Sequence, residues 1–218
     1  MINRGELMND QDNKIEGLLE QVYGFDPDPA VIQSLREIPE AKEYLIKNMN
    51  LKLKDGESTM KSAARASKMA TALGEIGAPK DVVHLNVLFQ DALILKLGCI
   101  DLLKAEGIEL ETFKHLDSPA YTYNTAKMHD VIFDTTAQYI LEAMVKLNGG
   151  EQALKSMEIL SELKLNDSKK EYLKKMCEQL ENEAKNKTAD YKLLLSKMKK
   201  RLDPGFKKGK DTVLLKGN

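Results

Sequence analysis

The sequence predicts an all-α protein: a long antiparallel helical hairpin flanked by shorter N-terminal helices and by a C-terminal helical extension with a basic tail. Three observations carry that expectation. Apolar residues recur at three- and four-residue steps along most of the chain, the spacing that gathers side chains on one face of a helix. No clear β-type alternation of apolar and polar residues survives. The six prolines fall between the helical patterns, where they start or stop helices rather than break them.

The hairpin spans Val82 to Leu147. Its first arm carries Leu85, Leu88, Phe89, Ala92, Leu95, Cys99 and Leu103 on one stripe. Its second arm carries two stripes, one through Tyr121, Thr125, Met128, Ile132, Thr135, Tyr139 and Ala143, the other through Ala126, His129, Phe133, Thr136, Ile140, Met144 and Leu147. Two stripes are more than one partner covers, so the second arm is expected to pack against other helices too, of this chain or another. Gly107 after Glu106 suits a C-cap, and Ser118-Pro119 supplies an N-cap with proline at the first helical position. The connection between them, Ile108 to Asp117, is long for a helix–helix join. Its alternation of Ile108, Leu110 and Thr112 with Glu109 and Glu111 allows an extended piece.

Before the hairpin, residues 1–11 are polar. A short helix follows around Ile15, Leu18, Leu19 and Val22 and ends at Gly24. Asp26-Pro27-Asp28-Pro29 is a turn that opens the next helix, with Asp28 as N-cap, Pro29 first inside, and Val31, Ile32, Leu35 and Ile38 inward. Pro39 separates it from a helix carrying Ala41, Tyr44, Leu45 and Met49. Asp10, Asp12, Glu16, Glu20, Asp26 and Asp28 make this region acidic, a protein-facing or solvated surface rather than a nucleic-acid surface. Asp55-Gly56 is a turn, and 57–76 is an alanine-rich helix closed by Gly74, Gly77 and Pro79. Lys61, Arg65 and Lys68 fall on one side of it among Ser58, Ser62 and Thr71, with Lys80 nearby. Small residues around such cations would let a phosphate backbone approach closely; the alternative is an ordinary solvated face.

After the hairpin, Asn148-Gly149-Gly150 is a stop. Leu154, Met157, Leu160 and Leu163 give a short helix. Asn166-Asp167-Ser168 caps a longer one through Leu173, Met176, Leu180, Ala184, Tyr191, Leu194 and Met198, interrupted by Lys187. From Lys197 onward, Lys197, Lys199, Lys200, Arg201, Lys207, Lys208, Lys210 and Lys216 face only Asp203 and Asp211. Such a basic arm attracts nucleic acid or an acidic protein patch, or simply solubilises the chain; Val213-Leu214-Leu215 favours docking on a partner. The expected organisation is therefore 1–77 as an N-terminal helical region with 57–76 as the DNA-contact helix, 78–147 as the hairpin and oligomerisation core, 148–202 as C-terminal helices, and 203–218 as a flexible basic tail.

Composition narrows the function classes. A charged fraction of 31%, ten methionines and no tryptophan suit long, partly solvated helices better than a thick multilayer core. Cys99 and Cys177 both sit in apolar stripes, as buried free thiols do, and no disulfide framework is present. The N-terminus lacks an apolar signal core and no run approaches the roughly 20 apolar residues of a spanning helix, so no membrane partner and a cytoplasmic location are expected. The chain has no phosphate-binding Gly-x-x-x-x-Gly-Lys loop and no Glu-x-x-His pair, and His84, His115 and His129 are far apart in sequence. One cysteine with one histidine makes no zinc site, and no serine or cysteine has a nucleophile context. No enzyme activity, cofactor or metal is expected.

Against this background, residues 78 to about 147 resemble the phage terminase small-subunit family. The similar points are Ala78-Pro79 opening the long helix, Leu88-Phe89-Gln90-Asp91-Ala92 within it, Lys104-Ala105-Glu106-Gly107-Ile108 at its end, then Glu111-Thr112, and Ser118-Pro119-Ala120 opening a return helix through Asn124-Thr125-Ala126. The chain departs from the family pattern in its acidic, helical N-terminus, where the family's is basic and proline-rich, and in a longer C-terminal part. The resemblance implies a non-catalytic subunit that assembles into a ring, recognises viral double-stranded DNA and delivers it to an ATP-driven large terminase subunit, in the host-cell cytoplasm. On that reading Lys61, Arg65, Lys68 and Lys80 are the DNA-binding candidates. Lys199, Lys200, Arg201, Lys207, Lys208 and Lys210 form a tail for DNA or the large subunit, and Tyr121, Met128, Ile132, Phe133, Tyr139 and Ile140 build the homo-oligomer interface. The alternative is a helical protein–protein adaptor or scaffold without nucleic-acid binding, which gains from the acidic N-terminal region and the near-zero net charge of −1.

Overall fold

A computed structural model describes residues 10–105, 120–163 and 167–202, with side chains for all of these except 98–105 and 120–131. The described residues are all-α, without strands. Their α-helices are α1 (Asp10–Leu19), α2 (Pro29–Arg36), α3 (Ala41–Asn48), α4 (Thr59–Ile76), α5 (Val82–Ala105), α6 (Ala120–Lys146), α7 (Gly150–Glu162), α8 (Asp167–Glu183) and α9 (Ala189–Leu202). The expected hairpin connection, 108–117 with its Gly107 and Ser118-Pro119 ends, lies outside the described residues. So does the tail 203–218 with Lys207, Lys208, Lys210 and Val213-Leu214-Leu215.

Local chemistry explains the helix boundaries. Asp28 Oδ1 accepts the Ala30 N–H at 2.8 Å and Pro29 opens α2, as the Asp-Pro-Asp-Pro run predicts. Ser58 Oγ accepts the Lys61 N–H at 3.3 Å to start α4. Buried Asp81 accepts the Ala78 N–H at 2.8 Å in the 3₁₀ turn Pro79–Asp81, which turns the chain from α4 into α5.

The chain divides at Gly149/Gly150 into two compact units. Residues 1–77 and 78–147, read from the sequence as successive regions, fold together in the first unit, because α4 packs directly on α6. The order of layers is α1–α3, then α4, then α6, then α5. Lys96 bonds Asp134 at 3.2 Å and Gly149 lies against Val82, so α5 and α6 run antiparallel. Ser67 meets Thr136, and Gly74 lies on Ala143, so α4 and α6 run parallel. The two stripes of α6 thus find two partners, α4 and α5, within this chain. Small side chains on α4, Ala63, Ala66, Ser67, Ala70 and Gly74, let it lie close to α6. A Cβ at Gly74 would stand 2.9 Å from the Ala143 Cα.

Polar ties hold the N-terminal helices to one another and to α4 and α6. Tyr44 donates to the Glu16 carboxylate, and an Arg36 N–H donates to the Glu75 carbonyl at 2.7 Å. Lys146 joins three segments through the Glu75 carboxylate at 2.5 Å, the Asp26 carboxylate at 3.2 Å and the Phe25 carbonyl at 2.5 Å. Burial lowers the Lys146 pKa, but the hydrogen bonds to Glu75 and Asp26 outweigh it and leave the ammonium held above its usual value.

In the second unit α9 packs on both α7 and α8 over a core of Leu154, Met157, Leu173, Met176, Leu180, Tyr191 and Met198. The single long helix expected from Asp167 to Met198 is broken. A 3₁₀ turn at Ala184–Asn186 ends α8, and Thr188 Oγ1 accepts the Tyr191 N–H at 3.2 Å to start α9. The break lets Leu195 and Leu202 reach the core in place of Leu194.

Candidate nucleic-acid and partner surfaces

The basic face expected on 57–76 does not form as a surface. α4 is the central helix of its unit, and of the small polar residues expected among its cations Ser62 and Thr71 are buried while Ser58 is exposed. Arg65 turns inward. Its Nε and Nη2 donate to the two Glu57 oxygens at 3.1 and 3.2 Å, Nη1 donates to the Asn48 carbonyl at 3.0 Å, and Nη2 also donates to the Lys52 carbonyl at 3.0 Å. Both side chains are only 12% exposed, so this guanidinium clamps the 48–58 loop onto α4. The Arg65 hydrogen bonds hold the Glu57 carboxyl below its ordinary pKa. Lys68 donates to the Glu20 carboxylate at 3.0 Å and to its carbonyl at 3.2 Å, and lies 5.0 Å from the Tyr23 ring centre. Lys61 and Lys80 are exposed. The four candidates are therefore split into two tied to their own chain and two facing solvent.

Of the expected interface residues, Phe133 and Ile140 are buried in the first unit, between α6 and its intrachain neighbours, and are not available to another copy in this fold. Tyr139 stacks at a tilt on Phe25, with ring centres 4.6 Å apart. Ile132 and Tyr139 also line an open apolar groove of about 330 Å³ with Tyr23, Met60, Ala63, Ser67 and Lys68. The side chains of Tyr121 and Met128 lie outside the described residues.

In the second unit Arg201 donates to the Glu158 carbonyl at 3.2 Å and to Ser161 Oγ at 2.9 Å, and Lys199 pairs with Glu181 at 2.6 Å. Lys200 is exposed, as are Lys175 and Lys197, which the expected site did not include, and among the described residues no ion pair engages any of the three. The division of the chain gives this unit a distinct charge. Residues 1–149 carry 16 Lys/Arg against 23 Asp/Glu, a net −7, and residues 150–218 carry 17 against 11, a net +6. A whole-chain charge of −1 hides an acidic unit joined to a basic one. All of that +6 lies from Lys197 onward, eight Lys/Arg against two Asp, as the sequence reading located it; residues 150–196 balance at nine of each sign.

Burial pushes the Cys177 thiol up to about 12 and the Tyr191 hydroxyl, which donates to the Leu180 carbonyl at 3.1 Å, also up to about 12. Among the described residues no cluster of His, Cys, Asp and Glu is arranged to hold a metal ion, and no helix is long and apolar enough to cross a membrane. No protein-family model matches the chain, and no curated protein or solved structure matches it significantly.

Proposed function

We propose that this chain is a non-catalytic helical subunit of a genome-packaging machinery that contacts double-stranded DNA through its basic C-terminal unit. The hairpin resemblance supports the DNA and large-subunit partners. The ring it implies is not carried over, because Phe133 and Ile140 of the expected interface are buried within the chain. The large terminase subunit is then a further partner. The observation that carries the DNA contact is the charge split, −7 in the first unit against +6 in the second. Polyanions are drawn to a basic surface and released from it by salt. The acidic unit repels them. The contact is assigned to the second unit rather than to α4, because Arg65 and Lys68 are engaged within their own chain.

The test is fluorescence anisotropy of a mixed-sequence duplex with the full chain, titrated at several salt concentrations. Replacing Lys175, Lys197 and Lys200 together with glutamine is expected to weaken binding about tenfold. It should also reduce the log–log salt slope by roughly 0.9 for each phosphate that the variant no longer neutralises. Lys61→Gln should leave both unchanged. Absence of DNA binding at low salt, or a slope indifferent to the triple substitution, refutes the reading. That outcome favours an adaptor without nucleic-acid binding, for which the acidic first unit is the specific support.

A further inference from the structure

α5 is apolar on two opposite faces, and its place in the layer order leaves one of them uncovered. Leu85, Leu88, Phe89 and Ala92 are buried toward α6. On the opposite side Val83, Val87, Ile94 and Leu97 are 57%, 56%, 65% and 42% exposed, with exposed Gln90 between them. These five positions are spaced four, three, four and three residues apart, which holds them in one narrow stripe and is the spacing of a helix–helix seam. A helix that is apolar all round belongs in an interior, and α5 occupies the outermost layer.

We infer that this stripe is the docking surface for a second copy of the same chain, meeting it α5 to α5 in antiparallel sense about a two-fold axis near Gln90. Two features single out a second copy. The first is charge. The stripe holds no ionisable residue from Val83 to Leu97, although the unit around it carries a net −7. Two acidic units meet with least like-charge contact where charge is sparse, here with Asp91 beside Gln90 as the one acidic residue between Val83 and Leu97, and depletion of charge marks the core of an interface. The second is self-complementarity. Reversal of the stripe about Gln90 sets Val83 against the second copy's Leu97 and Val87 against its Ile94, a smaller side chain against a larger one each time, and the amides of the two Gln90 residues against each other. An isologous contact requires a patch that matches itself. A polar residue at the centre of an apolar seam fixes its register.

The seam covers four turns, about 20 Å of helix. That is less than the roughly 800 Å² per partner of a standard stable interface, so the association is expected to be a reversible one in the micromolar range. It is independent of the DNA contact proposed above, which lies in the other unit.

The test is sedimentation equilibrium of the full chain, of mass 24.5 kDa, across a concentration series without DNA. Masses should run from one copy to two and stop there. Val87→Asp with Ile94→Asp should hold the chain at one copy and raise the dissociation constant at least about a hundredfold. Both sites are solvent-facing in the single chain, and the circular dichroism melt, taken at a concentration where both chains are single, should stay unchanged. Met60→Asp, at the exposed rim of the groove beside α4, should still pair. Gln90→Cys should form an intermolecular disulfide under mild oxidation that the unsubstituted chain does not form. A chain that stays single at every concentration overturns the inference. So does a mass that the double substitution leaves unchanged, or one that climbs past two copies.

Discussion

Arg65→Met should unfold the first unit far more readily than a surface substitution would. The guanidinium makes two charge-assisted bonds to Glu57 and one each to the Asn48 and Lys52 carbonyls, at 3.0–3.2 Å. Hydrogen bonds involving a charged group contribute about 1.5–3 kcal/mol each in favourable cases, and the net sum is smaller because the arginine gives up its hydration. Removing one partner also strands the other. Glu57, at 12% exposure, would keep a carboxylate that little water reaches, with only the Lys54 N–H donating to it. The Asn48 and Lys52 carbonyls would each lose one donor and keep others, from Asn50 and Ser62. A loss of about 3 kcal/mol is the central expectation, a shift of more than a hundredfold in the folding equilibrium. Arg65→Lys should recover about a third of it, since one ammonium cannot span the carboxylate and both carbonyls. Urea unfolding followed by circular dichroism measures the loss, and a cycle with Glu57→Gln isolates the pair term, expected at about 1–2 kcal/mol. The same variants in the DNA assay separate clamp from contact: stability should fall while DNA affinity of the folded chain holds. A loss below about 0.5 kcal/mol, the level of an exposed ion pair, would refute the clamp and return Arg65 to the surface.

Two further outcomes follow from the same unit. Arg65 holds the Glu57 carboxyl below its ordinary value of 4.5, so the folded chain binds that proton less tightly than the unfolded chain does. The stability this supplies is present above the ordinary value and is lost as pH falls through the lower folded value. The stability gap between the unsubstituted chain and Glu57→Gln should therefore be constant near neutrality and narrow below about pH 4.5; a gap that stays constant into that range would contradict it. Gly74→Val should destabilise by about 2–3 kcal/mol despite the usual cost of glycine inside a helix. Its Cβ would meet the Ala143 Cα at 2.9 Å and the Ala143 Cβ at 3.0 Å, and neither atom can swing aside. Thermal melts read this directly, and a Gly74→Val chain as stable as the original would rule out the close α4–α6 approach.

What was legible in the sequence was whatever depends on neighbours along the chain. The helix class, the Asp28-Pro29 start of α2 and the need of α6 for two partners all follow from spacing and capping, and the structure carries each of them. What depends on neighbours across the fold was not legible. Lys61, Arg65 and Lys68 share a side on a helical wheel, and the wheel cannot show that the loop after α3 closes over Arg65 or that Glu20 reaches Lys68. Phe133 and Ile140 read as interface residues because a doubly striped helix needs two partners; both partners prove to lie in the same chain. The break before α9 was signalled only by Lys187 interrupting the apolar stripe. The uncovered stripe of α5 was readable in principle, from the lack of charge at Val83, Val87, Gln90, Ile94 and Leu97.

The two proposed surfaces reinforce each other through charge. On the proposed reading, a single basic unit with a net +6 would hold DNA by contacts that salt readily screens. Pairing through α5 places two such units in one particle, whatever their orientation, and the second contact then forms at the effective concentration set by the link between them. Affinity can rise steeply without any new contact. The acidic first unit sharpens this effect. Its net −7 would disfavour DNA there, so on this reading the basic units alone contact the duplex, and the uncharged α5 stripe serves the pairing that brings them together.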